Sequence, residues 1–220
     1  QNLNTKNHFS TAYDIALMSR ELLKHKEITK YTTVWMDSLR NGESELVNTN
    51  KLVRFYEGTT GVKTGTTSKA GYCVSASAKR DGMELVAVVL GSDNSTERFE
   101  DAKKLLNWGF ANYEITEPQT DMSLITDVKL LYGKENSIKP IVENPGKILV
   151  KKGEGNKITQ RVDMCVDAEA PVEEKQTLGK VYFEIDGKIL EECAILSQRK
   201  YERRDVWFVF SLLWSTFAKK

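Results

Sequence analysis

Cysteine and histidine are the residue types best suited to bind a metal or form a covalent bond, and this chain of 220 residues holds few of them. The cysteines, Cys73, Cys165 and Cys193, lie far apart and form no Cys-x-x-Cys pair, and only two histidines are present. This spacing argues against a structural zinc site and predicts no bound metal. Cys165 and Cys193 could be bridged if their strands are neighbours, but the odd count and the apolar surroundings of Cys73 favour buried free thiols.

A segment rich in glycine and threonine, residues 58–67, contains the tripeptide Lys63-Thr64-Gly65. A tripeptide of this kind arises by chance in many proteins, so its surroundings decide its meaning. Two apolar strand candidates follow, at 71–79 and 83–90, and an Asp-Gly pair lies between them. Because Asp-Gly favours the positive φ angles of tight hairpin turns, the pattern predicts a β-hairpin directly after the lysine-bearing segment.

Two helices are predicted around these strands. Thr11 and Asp14 form a variant of the capping box, which starts a helix that runs to about Lys24. Residues 91–95 end the second strand and cap a helix that runs to about Asn112. This second helix carries a broad apolar stripe, formed by Phe99, Ala102, Leu105, Leu106, Trp108 and Phe110. Strands, hairpin and helix in this order predict an α+β fold, with an antiparallel sheet and a helix across one face.

A change in composition at 115–119 suggests a domain boundary. From there to about Ser197, short β-like runs at 148–150, 161–166, 180–185 and 189–196 alternate with turn signals. Short strands with frequent turns are typical of a small all-β module. The sequence therefore predicts three parts: 1–114, an α+β domain; 115–200, a β-rich domain; and 201–220, a separate tail.

The tail is apolar and aromatic between basic flanks. Its apolar core, 206–217, is about a dozen residues long and contains two tryptophans and three phenylalanines. A transmembrane helix needs ~20 residues. The basic flanks are Arg203, Arg204, Lys219 and Lys220, and Ser211 and Ser215 begin a polar side. This pattern predicts an amphipathic helix lying in a membrane interface, with a terminal helix packed on its own domain as the alternative.

The charge balance and the first residues bear on two further questions: nucleic-acid binding and the presence of a signal peptide. Lys plus Arg total 32 and Asp plus Glu total 31, so no large basic field for nucleic acid is expected. No signal peptide is recognisable after Gln1, which suggests either a processed piece or a sequence that starts within a longer protein.

Four segments resemble the low-molecular-mass penicillin-binding D-alanyl-D-alanine carboxypeptidases, in that family's usual order. They are 8–14 (His-Phe-Ser-Thr-Ala-Tyr-Asp), 46–73, 79–82 (Lys-Arg-Asp-Gly) and 103–110 (Lys-Lys-Leu-Leu-Asn-Trp-Gly-Phe). The second contains Lys63-Thr64-Gly65, the family's Lys-Thr-Gly motif, and its context makes the match specific. With the β-rich module and the tail, the resemblance covers essentially the whole chain. It implies that 1–114 is the C-terminal part of a β-lactamase/transpeptidase-like domain.

The family's other two motifs, Ser-x-x-Lys and a Ser-Asp-Asn type triad, should precede Lys-Thr-Gly, and neither occurs before Lys63. Two later segments match them by letter. Ser92-Asp93-Asn94 lies where a strand gives way to a helix, and we interpret it as a helix cap. Ser197-Gln198-Arg199-Lys200 lies beside the tail, and we interpret it as a solvated charged linker. The chain is therefore expected to lack the nucleophile and to be inactive alone.

The resemblance implies a function for each residue of the motif. Lys63 supplies positive charge beside the serine motifs and the substrate carboxylate, which the Thr64 hydroxyl can hydrogen-bond. Gly65 lets a substrate lie against the strand, and the N–H of Thr66 contributes to the oxyanion hole. Lys63 and Thr66 are the catalytic candidates. All four residues are substrate-binding candidates, together with Arg98, which either adds positive potential near the carboxylate or is structural.

For the complete protein, the resemblance implies a cofactor-free serine carboxypeptidase that trims the terminal D-alanine of peptidoglycan stem peptides through an acyl-enzyme. β-Lactams would inhibit it, and the tail at 201–220 would hold it on the extracytoplasmic face of the bacterial membrane. Two alternatives stay open: a non-catalytic, membrane-tethered wall-binding module, and a transpeptidase or β-lactamase relative.

Overall fold

The computed structural model describes residues 9–217, apart from the side chains of residues 215–217. His8, Lys219, Lys220 and the side chain of Ser215, which figure in the predictions above, lie outside this part. The chain divides into two compact units, one ending at Ile115 and the other beginning at Thr116.

From residue 9 onward, the first unit contains four α-helices and six strands, the last of which ends one residue past Ile115. The helices are α1 (Ala12–Leu23), α2 (Lys26–Thr32), α3 (Leu52–Phe55) and α4 (Ser95–Asn112). The strands are β1 (Met36–Leu39), β2 (Ser44–Val47), β3 (Thr59–Thr67), β4 (Gly71–Arg80), β5 (Met83–Ser92) and β6 (Tyr113–Thr116).

Local sequence signals set the ends of the two longest helices. The Thr11 hydroxyl accepts from the N–H of Asp14, and the Asp14 carboxylate accepts from the N–H of Thr11, so the predicted capping box is confirmed. The side chain of Asn94 accepts from the N–H groups of Thr96 and Glu97, which confirms the predicted cap of α4.

Strands β3, β4 and β5 form an antiparallel sheet in that order. Asp81 and Gly82 both have positive φ, at 48° and 81°, so the Asp-Gly turn joins β4 to β5 as predicted. The core of the unit lies between this sheet, α3 and α4. It contains Leu52, Tyr56, Val74, Ala76, Ala78, Ala87, Phe99, Ala102 and Leu106.

The predicted apolar stripe of α4 was too broad. Phe99, Ala102 and Leu106 are buried, but Leu105 and Trp108 are about half exposed or more, at 49% and 60%. The ring of Trp108 packs edge-on against Tyr113 at 5.7 Å instead of entering the core. The β1–β2 hairpin and α2 were not predicted at all, because their sequences carry neither a clear alternation nor a strong cap.

The second unit is a module of short strands, as predicted. They are β7 (Val128–Leu131), β8 (Ser137–Ile138), β9 (Pro140–Val142), β10 (Ile148–Lys151), β11 (Thr159–Met164), β12 (Asp167–Glu169), β13 (Thr177–Ile185) and β14 (Lys188–Ser197). One sheet has the order β11-β13-β14-β9 and another the order β12-β7-β8. Their inner faces form a core around Val128, Val181, Phe183 and Ile195. The terminal helix, α5, spans Val206–Phe217.

All three cysteines are free thiols. The prediction that they are buried is correct for Cys193, whose burial raises the pKa of its thiol, but it is wrong for Cys165, which is exposed. Cys165 follows the end of β11, where its N–H donates to the carbonyl of Leu178 and its side chain is left in solvent.

Candidate functional site

The Lys-Thr-Gly motif lies on β3, at the edge of the three-stranded sheet. Its register against β4 pairs Lys63 with Ser75 and Gly65 with Cys73. The other edge of β3 carries no strand in the described part of the chain. A Cβ added at Gly65 would meet nothing within 4 Å, so the strand is open where the glycine lies. An open strand edge can pair with an extended peptide.

Lys63 is exposed, and its ammonium group remains close to the strand. The Nζ atom donates to the carbonyl oxygen of Thr64 at 2.6 Å. Within the described residues, Lys63 forms no salt bridge with a carboxylate. Its positive charge is therefore available to an anionic ligand at the edge of the sheet.

Thr64 is buried, and its hydroxyl lies 2.7 Å from the hydroxyl of Thr49. Thr49 precedes α3 and was not singled out from the sequence. The segment at 48–51 is polar, and nothing in its composition indicates contact with a strand fifteen residues later.

Arg98, in the first turns of α4, is almost fully buried beneath β3. Its Nη1 atom donates to the carbonyls of Gly65 and Cys73, at 3.3 and 3.1 Å, and to the hydroxyl of Thr66 at 3.2 Å. Burial lowers the pKa of its guanidinium. The sequence left open whether Arg98 adds positive potential or is structural. Its hydrogen bonds join β3 to β4 at the end of the motif, which is a structural role.

A cleft of about 440 Å³ opens beside the motif. Its lining is mostly apolar and comes from α1, β3, β4 and β5: Ile15, Met18, Ser19, Leu22, Val62, Lys63, Thr64, Gly65, Cys73, Val74, Ser75 and Leu90. The hydroxyls of Ser19 and Ser75 meet there at 2.6 Å and are buried. Met18, one of the apolar side chains that α1 contributes to the cleft, stays 57% exposed, so this side of α1 is only partly covered.

The two letter matches to the serine motifs have other structural functions. Asn94 of Ser92-Asp93-Asn94 caps α4, as predicted. Ser197 ends β14 with its hydroxyl donating to the carbonyl of Arg199 at 2.6 Å, and it is fully buried. Lys200 forms an exposed ion pair with Glu173. The prediction of a solvated linker is therefore correct for Lys200 and wrong for Ser197, which the strand end carries into the core.

The terminal helix α5 forms a second candidate surface. Its described side chains are largely exposed, with Trp207 at 81%, Phe210 at 58% and Trp214 at 70%. Among the described residues, no helix is both long enough and apolar enough to cross a membrane.

The approach to α5 is held firmly by the second unit. The N–H of Arg204 donates to the carbonyl of Tyr132, and Lys134 pairs with Glu202 and Asp205 at 2.7 and 3.3 Å. The Asp205 carboxylate accepts from the N–H of Phe208 at 2.7 Å, as an N-cap does, and this bond lowers the pKa of Asp205. The start of α5 is therefore fixed relative to the turn after β7.

Lys-Thr-Gly is one of the motifs of penicillin-binding proteins and class A β-lactamases, and in this chain it lies on an open edge strand of an antiparallel sheet. Residues 1–94 match the family described as D-alanyl-D-alanine carboxypeptidase, and residues 113–203 match the family described as penicillin-binding protein 5, C-terminal domain.

Individual relatives agree with both assignments. The chain is 37% identical to D-alanyl-D-alanine carboxypeptidase DacF of Bacillus subtilis, over 91% of this chain and 53% of the relative. It is 28% identical to D-alanyl-D-alanine carboxypeptidase DacC of Escherichia coli, over 91% of this chain and 50% of the relative. Penicillin binding protein 5 from Haemophilus influenzae has a similar solved structure, with a TM-score of 0.72 and 28% identity over 91% of this chain and 59% of that one.

The chain thus belongs to the low-molecular-mass penicillin-binding proteins of the D-alanyl-D-alanine carboxypeptidase family. It spans about half the length of the curated relatives that it matches.

Proposed function

We propose that this chain supplies the substrate-binding strand of a serine-type D-alanyl-D-alanine carboxypeptidase, which removes the terminal D-alanine from peptidoglycan stem peptides. The observation that carries the proposal is the open edge of β3, where the Lys63 ammonium, which forms no salt bridge within the described residues, contacts the carbonyl of Thr64 close to the accessible Gly65. The Thr64 hydroxyl lies on the same strand, 2.7 Å from the hydroxyl of Thr49. A peptide ending in a carboxylate could pair with this edge and place its charge near the lysine.

Each residue then has a function in the reaction. Lys63 attracts the carboxylate and lies beside the attacking serine, and Thr64 donates a hydrogen bond to the carboxylate. The N–H of Thr66 stabilises the oxyanion that forms when serine attacks the carbonyl between the two D-alanines, an effect worth about 3 kcal/mol per donor in other enzymes. Release of D-alanine leaves an acyl-serine, which water hydrolyses. Arg98 fixes the conformation of Gly65 and Thr66 and adds positive charge behind them.

No serine before Lys63 in these 220 residues stands in a Ser-x-x-Lys motif, so the motif that would supply the nucleophile is not found there. The apolar cleft beside Lys63 offers a surface on which a serine-bearing segment of a complete protein could pack.

Release of D-alanine from a stem peptide by the complete protein tests this function. We expect hydrolysis of a peptide that ends in D-Ala-D-Ala and none of a matched peptide that ends in D-Ala-L-Ala. Transfer to an added amine in place of water would identify a transpeptidase, and rapid turnover of penicillin a β-lactamase. Binding to peptidoglycan without any release of D-alanine would favour the wall-binding alternative and contradict the proposal.

We also propose that α5 holds the protein on the extracytoplasmic surface of the membrane. Its exposed aromatic side chains support interfacial burial, and Arg203 and Arg204 add attraction to anionic lipids of roughly 1 kcal/mol each.

Vesicle co-sedimentation tests the anchor. Deletion of 206–220 should release the chain from anionic vesicles without unfolding it, because the described side chains removed are mostly exposed. The double variant Trp207→Ala/Trp214→Ala should weaken binding, whereas Ser211→Ala should not. High salt should weaken binding only in part, since buried aromatic area persists when charge is screened. If the shortened chain sediments equally well, or loses its β-sheet circular dichroism, α5 is not the anchor.

A further inference from the structure

The hydroxyl of Thr49 is the feature of the site that the motif does not explain. It lies 2.7 Å from the hydroxyl of Thr64, across fifteen residues of sequence. Thr64 is buried, at 7% exposure, whereas Thr49 is exposed. The contact therefore joins the buried side chain of Thr64 to a residue that is exposed to solvent.

The turn that carries Thr49 is held on both sides by asparagine side chains. The side-chain Oδ1 of Asn48 accepts from the backbone N–H of Asn50 at 2.9 Å, and its Nδ2 donates to the backbone carbonyl of Val34 at 2.9 Å. Asn50 is 2% exposed, and its side chain accepts from the N–H of Leu52 at 3.2 Å. Thr49 thus lies between two anchored residues, which limits how far its hydroxyl can move from Thr64.

The number of protons on each hydroxyl indicates which threonine donates the hydrogen bond. A threonine hydroxyl has one proton to donate and two lone pairs with which to accept. If Thr64 donated to Thr49, its only proton would be engaged and could not reach a substrate carboxylate. If Thr49 donates, the Thr64 oxygen accepts and its proton stays free for a charge-assisted hydrogen bond, which is stronger than a bond between neutral groups.

We propose that Thr49 is a positioning residue for carboxylate recognition: it donates its hydroxyl proton to Thr64 and thereby directs the Thr64 proton at the carboxylate of the substrate or β-lactam. This inference rests on the proposed function and adds a residue outside the Lys-Thr-Gly strand to its binding site. It predicts that Thr49 matters only for ligands that carry the carboxylate.

The test compares acylation of the complete protein by benzylpenicillin and by its methyl ester, in which the carboxylate is masked. In Thr49→Val, which keeps the shape and removes the hydroxyl, the ratio of the acid's acylation rate constant to the ester's should fall about tenfold. Thr49→Ser should restore the ratio to within about twofold of the parent. Because the two hydroxyls act as one unit, adding Thr49→Val to Thr64→Val should lower the ratio little further.

Thr159→Val is the matched control, because it removes an exposed, hydrogen-bonded threonine hydroxyl in the other unit. It should leave the ratio unchanged. An unchanged ratio in Thr49→Val, or an equal loss for acid and ester, would overturn the positioning role in favour of no role or a purely structural one. A parent protein acylated by neither compound would overturn the proposed function as well, which separates the two failures.

Discussion

Lys63 and Arg98 are two cations at the same strand with different environments. Lys63 is exposed and contacts only the carbonyl of its neighbour among the hydrogen bonds of the described residues, whereas Arg98 is buried and joins two strands. An exposed cation contributes little to folding, while a buried arginine satisfies backbone carbonyls that would otherwise lose their partner. Substitutions of the two should therefore separate activity from stability.

For Lys63→Ala we expect the rate of acylation by penicillin in the complete protein to fall on the order of a hundredfold, because a charge-assisted contact with the carboxylate is lost. The melting temperature should stay within about 2 °C of the parent, as for an ordinary exposed site. Stopped-flow acylation and thermal unfolding provide the two measurements. Lys69→Ala, an exposed lysine just after β3, is the control and should change neither. Equal acylation rates for Lys63→Ala and the parent would refute the assignment.

In contrast to Lys63→Ala, Arg98→Met should lower the stability of the fold. It removes the donor to Gly65, Thr66 and Cys73 and leaves two partly buried carbonyls without that partner, so we expect a loss of about 2 to 4 kcal/mol in the free energy of unfolding. Arg98→Lys should recover only part of it, because an ammonium cannot reproduce the planar fork. Urea titration measures both values. A fully stable Arg98→Met would show that the contacts to β3 are dispensable.

Elements that follow local rules were predictable from the sequence. The capping box of Thr11 and Asp14, the Asn94 cap and the turn at Asp81-Gly82 depend on residues within a few positions of one another, and the structure has all of them. Lys-Thr-Gly was found because its motif lies in one stretch of sequence.

Features that depend on tertiary contact were missed. The pairing of Thr49 with Thr64 needs α3 to turn the chain back toward β3, and no local signal reports this. The burial of Ser197 follows from the packing of β14 within a four-stranded sheet, although the sequence after it is charged. The exposure of Trp108 arises because α4 packs on only one side of its apolar stripe.

The start of α5 should respond to acid through Asp205. Its folded pKa is lowered, first by the N–H of Phe208 and then by Lys134, so its contribution is present above the unfolded value of about 4 and is lost as pH falls through the lower folded value. Helicity measured against pH should show the parent exceeding Asp205→Ala at neutral pH, with the difference decreasing as the pH falls below about 4. A difference that does not decrease in acid would contradict the capping assignment.

At the scale of the whole molecule, this chain combines a binding strand, a β-rich unit and an exposed terminal helix, and it spans about half the length of its curated relatives. In the proposed function, Lys63, Thr64 and the N–H of Thr66 bind and polarise a substrate, but covalent chemistry also needs a nucleophile. The letter matches that could supply one are a helix cap and a buried strand end. Binding and bond formation are thus separable predictions.

Fluorescent penicillin labelling measures this separation directly. The 220-residue chain and the complete protein are each incubated with the labelled β-lactam, denatured and examined by gel fluorescence and peptide mass spectrometry. We expect a denaturation-resistant label on the complete protein, at a serine outside these 220 residues, and none on the chain alone. A covalent label on the chain alone, at Ser197 or any other serine within it, would contradict the view that it supplies the binding strand without the nucleophile.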